Sequence, residues 1–258
     1  MRKILIFTLS LLLLLSACRD SASDPEAVNK LSEAVAVTNS ETRFSGQYML
    51  EISFGKGVTL YYALGDVNCD RALKTANASF SQTYLGVSGN AENYISDGKV
   101  ISIDSGEYAL VEVESDALFK RFPYCEIYKL PDQTEVTVTE NMQGTSYRFI
   151  NKDTKNIFET VVGGDIYELV TVLKQPQKDK TEYGETECIY TVEDGRVVAI
   201  RYEFDMKLYD TPAYVPDYSV PESDYTVELH IVAKLTYKNF GSSVEINEYS
   251  AAESEISS

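Results

Sequence analysis

The chain has 258 residues, with 23 Lys and Arg against 40 Asp and Glu, which gives a formal net charge of −17. Proteins that bind nucleic acid rely on Lys and Arg contacts to phosphate, so this acidic balance disfavours nucleic acid as a partner. It also disfavours electrostatic adhesion to anionic lipid headgroups. Trp is absent and Tyr occurs 19 times, a composition that favours sheets.

The first twenty residues, MRKILIFTLSLLLLLSACRD, have the pattern of a secretory signal. Arg2 and Lys3 precede an apolar run over 4–15, and small residues follow. An apolar helix of about 12 residues rises only ~18 Å, which is short of the ~30 Å hydrocarbon core. The pattern therefore predicts a signal peptide over 1–17 and no permanent membrane span.

The sequence Leu15-Ser16-Ala17-Cys18 resembles a bacterial lipobox. In such signals the Cys thiol takes a diacylglyceryl group and the peptide is cut just before the Cys. The resemblance implies that Cys18 anchors the chain to the extracytoplasmic face of a bacterial membrane through acyl chains, since two or more chains hold stably. Residues 18–24 would be the lipidated tether. The alternatives are an ordinary cleaved signal that precedes a cysteine, and an uncleaved short anchor.

Three further cysteines remain, Cys69, Cys125 and Cys188, and an odd number cannot all pair. No two of them have CxxC spacing. One disulfide is compatible with an exported protein, and the alternative is that all three are small buried hydrophobes.

The pattern after the leader predicts one domain over 25–250 that consists mainly of antiparallel hairpins. Asp24 and Pro25 begin a predicted helix over 25–37, since an N-cap acid followed by proline is a helix start. Alternation of apolar and polar residues, with Gly-containing turns, predicts the strands. These are 42–54, 58–64, 77–87, 92–96, 99–104, 107–114, 134–139, 145–150, 188–193, 196–208, 225–237 and 243–249.

Helical spacing returns in the middle of the chain. Asp153 and Asp165 can cap two short helices, or one helix broken at Gly163-Gly164, over about 153–174. A short helical turn is predicted at 116–121, a loop at 209–222 and a disordered tail at 251–258. Because strands and helices do not alternate, the pattern favours an α+β fold in which helices pack on one face of an antiparallel sheet.

No catalytic or metal-binding motif is present. The single histidine, His230, lies on the polar face of a predicted strand, where a solvated side chain is expected. An EF-hand loop, a phosphate-binding loop and a GxSxG motif are all absent. The carboxylates are too numerous for any pair to stand out as acid and base. We therefore predict no enzyme, no cofactor and no metal.

Several strands carry apolar or aromatic residues on both faces. In one of them Val197 and Ala199 lie on one face, and the other face carries a long stripe, Val198, Ile200, Tyr202, Phe204, Met206 and Leu208. They predict either an ordinary core beneath the helices or a sheet curved around a cavity for an apolar ligand.

The order of elements, with the stretches NYISDGKVISID, YRFINKDTKNIFETVV and CIYTVEDGRVVAIRYEFDMKL, resembles the half-barrel lipoproteins of the LolA and LppX/LprG type. The resemblance covers about 25–250. It implies a strongly bent antiparallel sheet, a half-barrel, with a few helices packed on its concave face. It also implies that a lipid or lipid-linked cargo is carried between sheet and helices.

Our first interpretation is thus a membrane-anchored lipoprotein that binds or carries a lipid or another hydrophobic ligand, with the helices of 153–174 over the mouth of the cavity. The alternative is a non-enzymatic interaction or structural lipoprotein of the cell envelope with a filled core and no cargo, whose acidic face meets a basic protein or cations. The candidate lining residues are Phe44, Tyr48, Leu50, Phe54, Ile166, Leu169 and Leu173.

Overall fold

The computed structural model describes residues 25–55, 57–96, 99–104, 107–112, 127, 130, 135–141, 144–161, 181–209, 226–241 and 244–246. Two helices lie in this part of the chain, α1 (Pro25–Ser40) and α2 (Thr154–Val161). The strands are β1 (Arg43–Phe54), β2 (Val58–Asp70), β3 (Thr75–Tyr84), β4 (Val87–Ser96), β5 (Lys99–Asp104), β6 (Glu107–Glu112), β7 (Val136–Asn141), β8 (Gly144–Asn151), β9 (Thr181–Tyr183), β10 (Thr186–Glu193), β11 (Arg196–Tyr209) and β12 (Thr226–Phe240).

The described strands form one open antiparallel sheet. Its order is β6-β5-β4-β3-β2-β1-β12-β11-β10-β8-β7, and β9 pairs with β11. Every described pair of neighbouring strands is antiparallel, and β1 and β12 lie side by side in the middle. Pairings shift register at Ser45/Gly46, Ile52/Ser53 and Thr191/Val192, and such bulges bend and twist a sheet. This arrangement confirms the predicted α+β half-barrel class.

One face of the sheet, here called the inner face, carries buried side chains at alternate positions of each strand. On β1 these include Phe44, Tyr48 and Leu50, and on β12 they include Leu229 and Ile231. Both helices pack on this face. The α1 helix contacts β11 and β7, and the core-facing side of α2 packs against β11. The opposite, outer face carries mostly polar residues.

The α1 helix begins at Pro25, as predicted, and extends three residues past its predicted end. One stripe of its surface is buried. A helix of 16 residues is stabilised chiefly by such tertiary packing rather than by intrinsic propensity. The buried residues are Ala27, Leu31, Ala34, Val35 and Thr38.

The C-terminal end of α1 is fixed to the sheet by hydrogen bonds. Arg71, in the β2–β3 turn, donates from Nη1 to the carbonyl oxygens of Thr38 at 2.8 Å and Glu41 at 3.0 Å. The Thr38 carbonyl belongs to the last turn of α1, where a helix lacks its i→i+4 donors, and the Glu41 carbonyl directly follows the helix. The Thr38 hydroxyl accepts from the backbone N–H of Val197 at 2.9 Å. This end of the inner face is therefore held closed by the helix.

The first half of the sheet differs from the prediction in two places. The β2 strand continues to Asp70, beyond the predicted end at 64. The predicted single strand 77–87 is wrong, because a tight turn at Leu85-Gly86 divides it into β3 and β4. Both turn residues have left-handed φ angles, 47° for Leu85 and 81° for Gly86. Leucine is not a residue that normally marks such a turn.

The second half also departs from the prediction. The short strand β9 was not predicted, and β12 continues to Phe240, where a turn was expected. Residues 244–246 are not in a strand, so the described part of the predicted strand 243–249 is wrong. A bulge in β11 buries Val197 instead of Val198.

Several predicted segments lie outside the described residues. They are the leader and tether over 1–24 with Cys18, the turn at 116–121, the second half of the helical segment 153–174, the loop 209–222 and the tail 251–258.

Candidate hydrophobic ligand site

The four predicted lining residues that the structure describes all lie on the inner face of β1. Phe44, Tyr48 and Leu50 are buried, and Phe54 is half-buried against the same core. The strand alternation that predicted their common face is therefore confirmed. The other three predicted lining residues, Ile166, Leu169 and Leu173, lie outside the described residues.

Large aromatic side chains fill the inner face over β8, β10 and β11. We call this region, together with the adjoining strand β12, the aromatic half. The ring of Tyr190 contacts Phe149 edge to face at 5.2 Å and Tyr202 at 5.9 Å. Phe158 of α2 meets Phe204 at 6.4 Å in the same geometry. Such pairs add stability beyond the area they bury, so this half is a packed core.

The buried polar atoms of the aromatic half are neutral. The hydroxyls of Tyr190 and Tyr202 form a hydrogen bond of 2.7 Å. Burial, reinforced by the nearby Tyr202, raises the pKa of Tyr190 well above its usual value. Burial likewise raises the pKa of the Cys188 thiol. Neither group ionises at neutral pH, and the face they line stays uncharged.

The inner face over β2, β3 and β4, here called the small-residue half, has a different composition. Glycine and alanine occupy many of its positions, and they leave more depth above the sheet than aromatic residues do. Strand pairing places them in adjacent rows. They are Ala63, Gly65, Ala76, Ala78, Gly89 and Ala91.

Gly65 shows how large residues fit into this half. A Cβ atom at Gly65 would lie 2.0 Å from the Ser79 carbonyl oxygen and 2.6 Å from Cδ1 of Phe80. Glycine is therefore required there. The rings of Tyr48 and Phe80, on the strands at either side, meet across it edge to face at 6.1 Å. Burial, with Tyr61 nearby, raises the pKa of Tyr48 well above its usual value.

Exposure increases along one row of the inner face from the centre of the sheet to β4. Ile231 and Ile52 are buried, Tyr61 and Tyr84 are half-buried, and Val87 is 74% exposed. These five residues are successive cross-strand partners on β12, β1, β2, β3 and β4, so they line the same face. The inner face thus opens to solvent at the end of the sheet that carries the β1–β2 and β3–β4 turns.

The neighbouring row shows the same change. Leu229 of β12 is buried, its partner Phe54 is half-buried, and Val58 of β2 is 65% exposed. Together the two rows define an apolar opening, which we call the mouth. It consists of Phe54, Val58, Tyr61, Tyr84, Leu85 and Val87.

The opposite end of the same face is closed. Phe44 packs edge to face against Tyr237 at 5.1 Å, and the guanidinium of Arg71 lies 4.9 Å from the centre of its ring. The row that continues from Phe44 is buried throughout, at Cys69, Ala76, Ile95 and Val100. Among the described residues, this end of the small-residue half is closed to an apolar molecule, whereas the mouth end is open.

The sequence pattern does not predict the mouth. The predicted strand 77–87 continues through the Leu85-Gly86 turn and so assigns Val87 to the wrong strand. The signal for this turn in the sequence is the Leu85-Gly86 pair, which lies between two segments in which polar and apolar residues alternate.

His230 lies on the outer face, as predicted, but it is not freely solvated. Its side chain is 14% exposed, and its Nδ1 lies 2.7 Å from Asp205 Oδ1 while its Nε2 lies 3.3 Å from Glu203 Oε1. The expectation of a solvated histidine is therefore wrong, because cross-strand pairing brings carboxylates to both ring nitrogens.

A cleft of about 470 Å³, lined by both charged and apolar residues, lies at the same end of the sheet as the mouth. Its charged groups already have partners. Lys207 lies 3.7 Å from Glu228, Asp205 pairs with His230, and Glu182 accepts a hydrogen bond from Tyr209, which raises the pKa of that phenol. Gly55, Tyr183, Gly184, Met206 and Leu229 complete the cleft.

In the described part of the chain, no three His, Cys, Asp or Glu side chains converge as a metal site would require. Cys69 and Cys188 are free and buried, which agrees with the second alternative for the cysteines, and Cys125 lies outside the described residues. Over the same ranges, no helix has both the length and the hydropathy needed to cross a membrane.

Known protein families and curated proteins give no match to this sequence. Solved structures that are similar to it include LprF from Mycobacterium bovis, at 10% identity and a TM-score of 0.39, covering 88% of this chain and 98% of that chain. A LolA superfamily protein from Nitrosomonas europaea is 6% identical, with a TM-score of 0.29, over 86% of this chain and 94% of that chain.

A putative outer membrane lipoprotein-sorting protein domain from Vibrio parahaemolyticus is also similar, at 6% identity and a TM-score of 0.33 over 84% of this chain and 93% of that chain. These structures include the LolA type that the sequence resembles. All three TM-scores lie below 0.5, so the fold class rests on the sheet topology described above.

Proposed function

We propose that this chain is an exported, membrane-anchored protein that binds a lipid or another hydrophobic molecule on the inner face of its sheet. The ligand would enter at the mouth and lie over the small-residue half, against Tyr48, Leu50 and Phe54. The role is one of binding or carriage and includes no chemical step. Acyl chains on Cys18 would hold the protein at the extracytoplasmic face of a bacterial membrane.

One observation carries the proposal, the rise in exposure from Ile52 to Val87 along one apolar row. Where a sheet face is fully covered, the apolar residues of each row are buried along its whole length. Here buried and exposed residues are continuous on one face, so a hydrophobic ligand could pass from the surface inward without crossing charged groups. Binding sites for such ligands are concave and mostly apolar.

A second candidate function has an observation in its favour. Phe44, Tyr48 and Leu50 belong to the same continuous core as the aromatic half. A core filled in this way, with no cargo, would suit an interaction or structural protein of the cell envelope. The two candidates differ in whether the space over the small-residue half is occupied by protein or by ligand.

Native mass spectrometry separates the two. The chain from Arg19 onward, which keeps every described residue, is purified from a bacterial host without detergent. We expect an adduct that organic solvent extracts as lipid. Ala63→Leu fills the space beside Leu50, its cross-strand neighbour, and should abolish the adduct.

Leu64→Phe is the matched control, since it enlarges the next residue of β2 on the outer face and should leave the adduct unchanged. A bare wild-type mass, with no uptake when lipids are offered, would favour the filled core and send the search to a protein partner.

A further inference from the structure

We propose that the mouth end docks on a lipid bilayer, with the tips of the β1–β2 and β3–β4 hairpins in contact with the membrane surface. The proposal rests on the proposed function, because the docked end is the opening through which the ligand would pass. It adds a second role for the exposed residues, namely contact with a membrane that is independent of the acyl anchor.

The tips expose aliphatic side chains where a free hairpin would carry polar ones. Val58 is 65% exposed and Val87 is 74% exposed. Phe54, Tyr61 and Tyr84 lie behind them, half-buried on the same face. Tyrosine with an apolar body and a polar hydroxyl suits the boundary between water and hydrocarbon. The mouth is thus apolar at the hairpin tips and amphipathic directly behind them.

Charge distribution indicates which partner these tips fit. The chain contains 40 Asp and Glu residues, yet the stretches 54–65 and 71–91 contain none. These two stretches include both hairpin tips. The rest of the mouth end carries Glu182, Asp205, Lys207 and Glu228 at the cleft, and Glu51 on the outer face of β1, whose Oε1 lies 3.3 Å from the Thr59 hydroxyl. A protein of net charge −17 is repelled by an anionic bilayer, and the acid-free tips are the part of this end that can approach one closely.

The backbone at the second tip supports the same interpretation. Leu85 adopts a left-handed φ of 47°, and the matching position of the β10–β11 turn is Asp194 at 48°. Asp tolerates this conformation, whereas other non-glycine side chains are strained in it. A leucine at this position is unfavourable for the turn, and its half-buried side chain packs against the core directly behind the exposed Val87.

Vesicle flotation tests the docking. The chain from Arg19 onward, which lacks the acylated cysteine, is mixed with vesicles of phosphatidylcholine and with vesicles that also contain phosphatidylglycerol. We expect flotation with phosphatidylcholine and less flotation as phosphatidylglycerol increases. Added salt should restore flotation with the anionic vesicles, because it screens the repulsion. Docking through lysines would give the opposite salt dependence and would overturn the proposal.

The decisive variant is Val58→Asp with Val87→Asp, which should lower partitioning onto phosphatidylcholine vesicles by at least about tenfold, since it removes the apolar surface that contacts the bilayer. Leu73→Asp is the matched control. Leu73 is 66% exposed, like Val58, but lies in the β2–β3 turn at the closed end of the sheet. It should leave partitioning unchanged.

Equal loss in the control and the double variant would overturn the docking site, as would a wild-type chain that does not float with any vesicle. A dimer that dissociates in the double variant, in the absence of flotation, would assign the tips to a second copy of the chain and likewise overturn bilayer docking. The lipid adduct seen by native mass spectrometry is scored separately. Flotation with no adduct would refute ligand binding alone, and an adduct with no flotation would refute docking alone.

Discussion

The two halves of the inner face are built from one continuous sheet but solve different packing problems. The aromatic half fills its space with interlocking rings such as Phe149, Tyr190 and Phe204, and two helices lie on it. The small-residue half uses Ala63, Gly65 and their neighbours, and its surface becomes exposed toward the mouth. The first arrangement places large rings above the sheet, while the second places small side chains there.

The difference teaches that burial alone does not separate a core from a binding face. Leu50 is buried, and it lies between Ala233 of β12 on one side and Ala63 of β2 on the other. Ala233 belongs to the aromatic half and Ala63 to the small-residue half. Enlarging each of these two alanines in turn can show whether the space beside it is filled by protein side chains or is free for a ligand.

The largest expected effect concerns a ring of the aromatic half. Phe204→Ala should lower the free energy of unfolding by about 3–5 kcal/mol, because it leaves a cavity among Phe158 and its neighbours. Val87→Ala, at the mouth, should change it by no more than about 0.5 kcal/mol, since the side chain is exposed. Urea unfolding followed by circular dichroism measures both. Similar losses in the two variants would erase the distinction between the halves.

The next largest effect compares the two alanines beside Leu50. Ala233→Leu should destabilise the protein by about 1–3 kcal/mol through overpacking. Ala63→Leu should cost less than that and should block ligand uptake. Thermal unfolding with and without added lipid gives both readouts. If Ala63→Leu proves as costly as Ala233→Leu, the space beside Ala63 is filled by protein.

A third prediction uses pH. Tyr190 has a pKa raised by burial, so only the unfolded state ionises as pH passes the ordinary tyrosine pKa of about 10. The protein therefore binds more protons when folded, and the stabilisation present below about pH 10 is lost as pH rises above it. Tyr190→Phe should reduce this alkaline loss of stability.

At neutral pH, Tyr190→Phe should lower the free energy of unfolding by about 1 kcal/mol, because the hydrogen bond to Tyr202 is lost. Urea titrations at pH 7 and above pH 10 measure the two parts, and an unchanged alkaline slope would count against a neutral buried phenol.

The smallest expected effect exchanges side chains between two tight turns. Asp194→Leu should lower stability by about 1 kcal/mol, because leucine is strained at left-handed φ. Leu85→Asp should change stability by less than that, because the strain it relieves is offset by the lost packing of Leu85 against the core. Leu85→Asp should also weaken flotation with vesicles. Differential scanning calorimetry of the two variants gives the comparison. A loss of stability in Leu85→Asp would mean that packing of Leu85 outweighs its backbone strain.

The sequence predicts the repeated hairpins well and the site only in part. Period-two alternation placed Phe44, Tyr48, Leu50 and Phe54 on one face, because side-chain direction along a strand is a local property. The mouth depends on the Leu85-Gly86 turn, which lacks the usual Asn or Asp signal.

Two further features arise from strand pairing and are not local. The carboxylates beside both nitrogens of His230 come from β11, and the row that ends at Val87 crosses five strands. Neither arrangement can be read from any one segment. The order of strands in the sheet, which determines both, is set by long-range pairing.

The central pair of strands has a consequence for the order of events during synthesis. The β1 strand pairs with β12, so that Phe44 meets Phe240. In the exported protein that we propose, β12 can pair only after it has crossed the membrane, so β1 waits at least the roughly ten to forty seconds that ribosomes need to make the intervening segment at about 5–20 residues per second. During that time one edge of β1 has unpaired backbone groups, which are a template for aggregation. The hairpins from β1 to β6 can form early, but the two halves of the sheet join only after β12 has been made. This chain therefore depends on protection of that edge before its fold is complete.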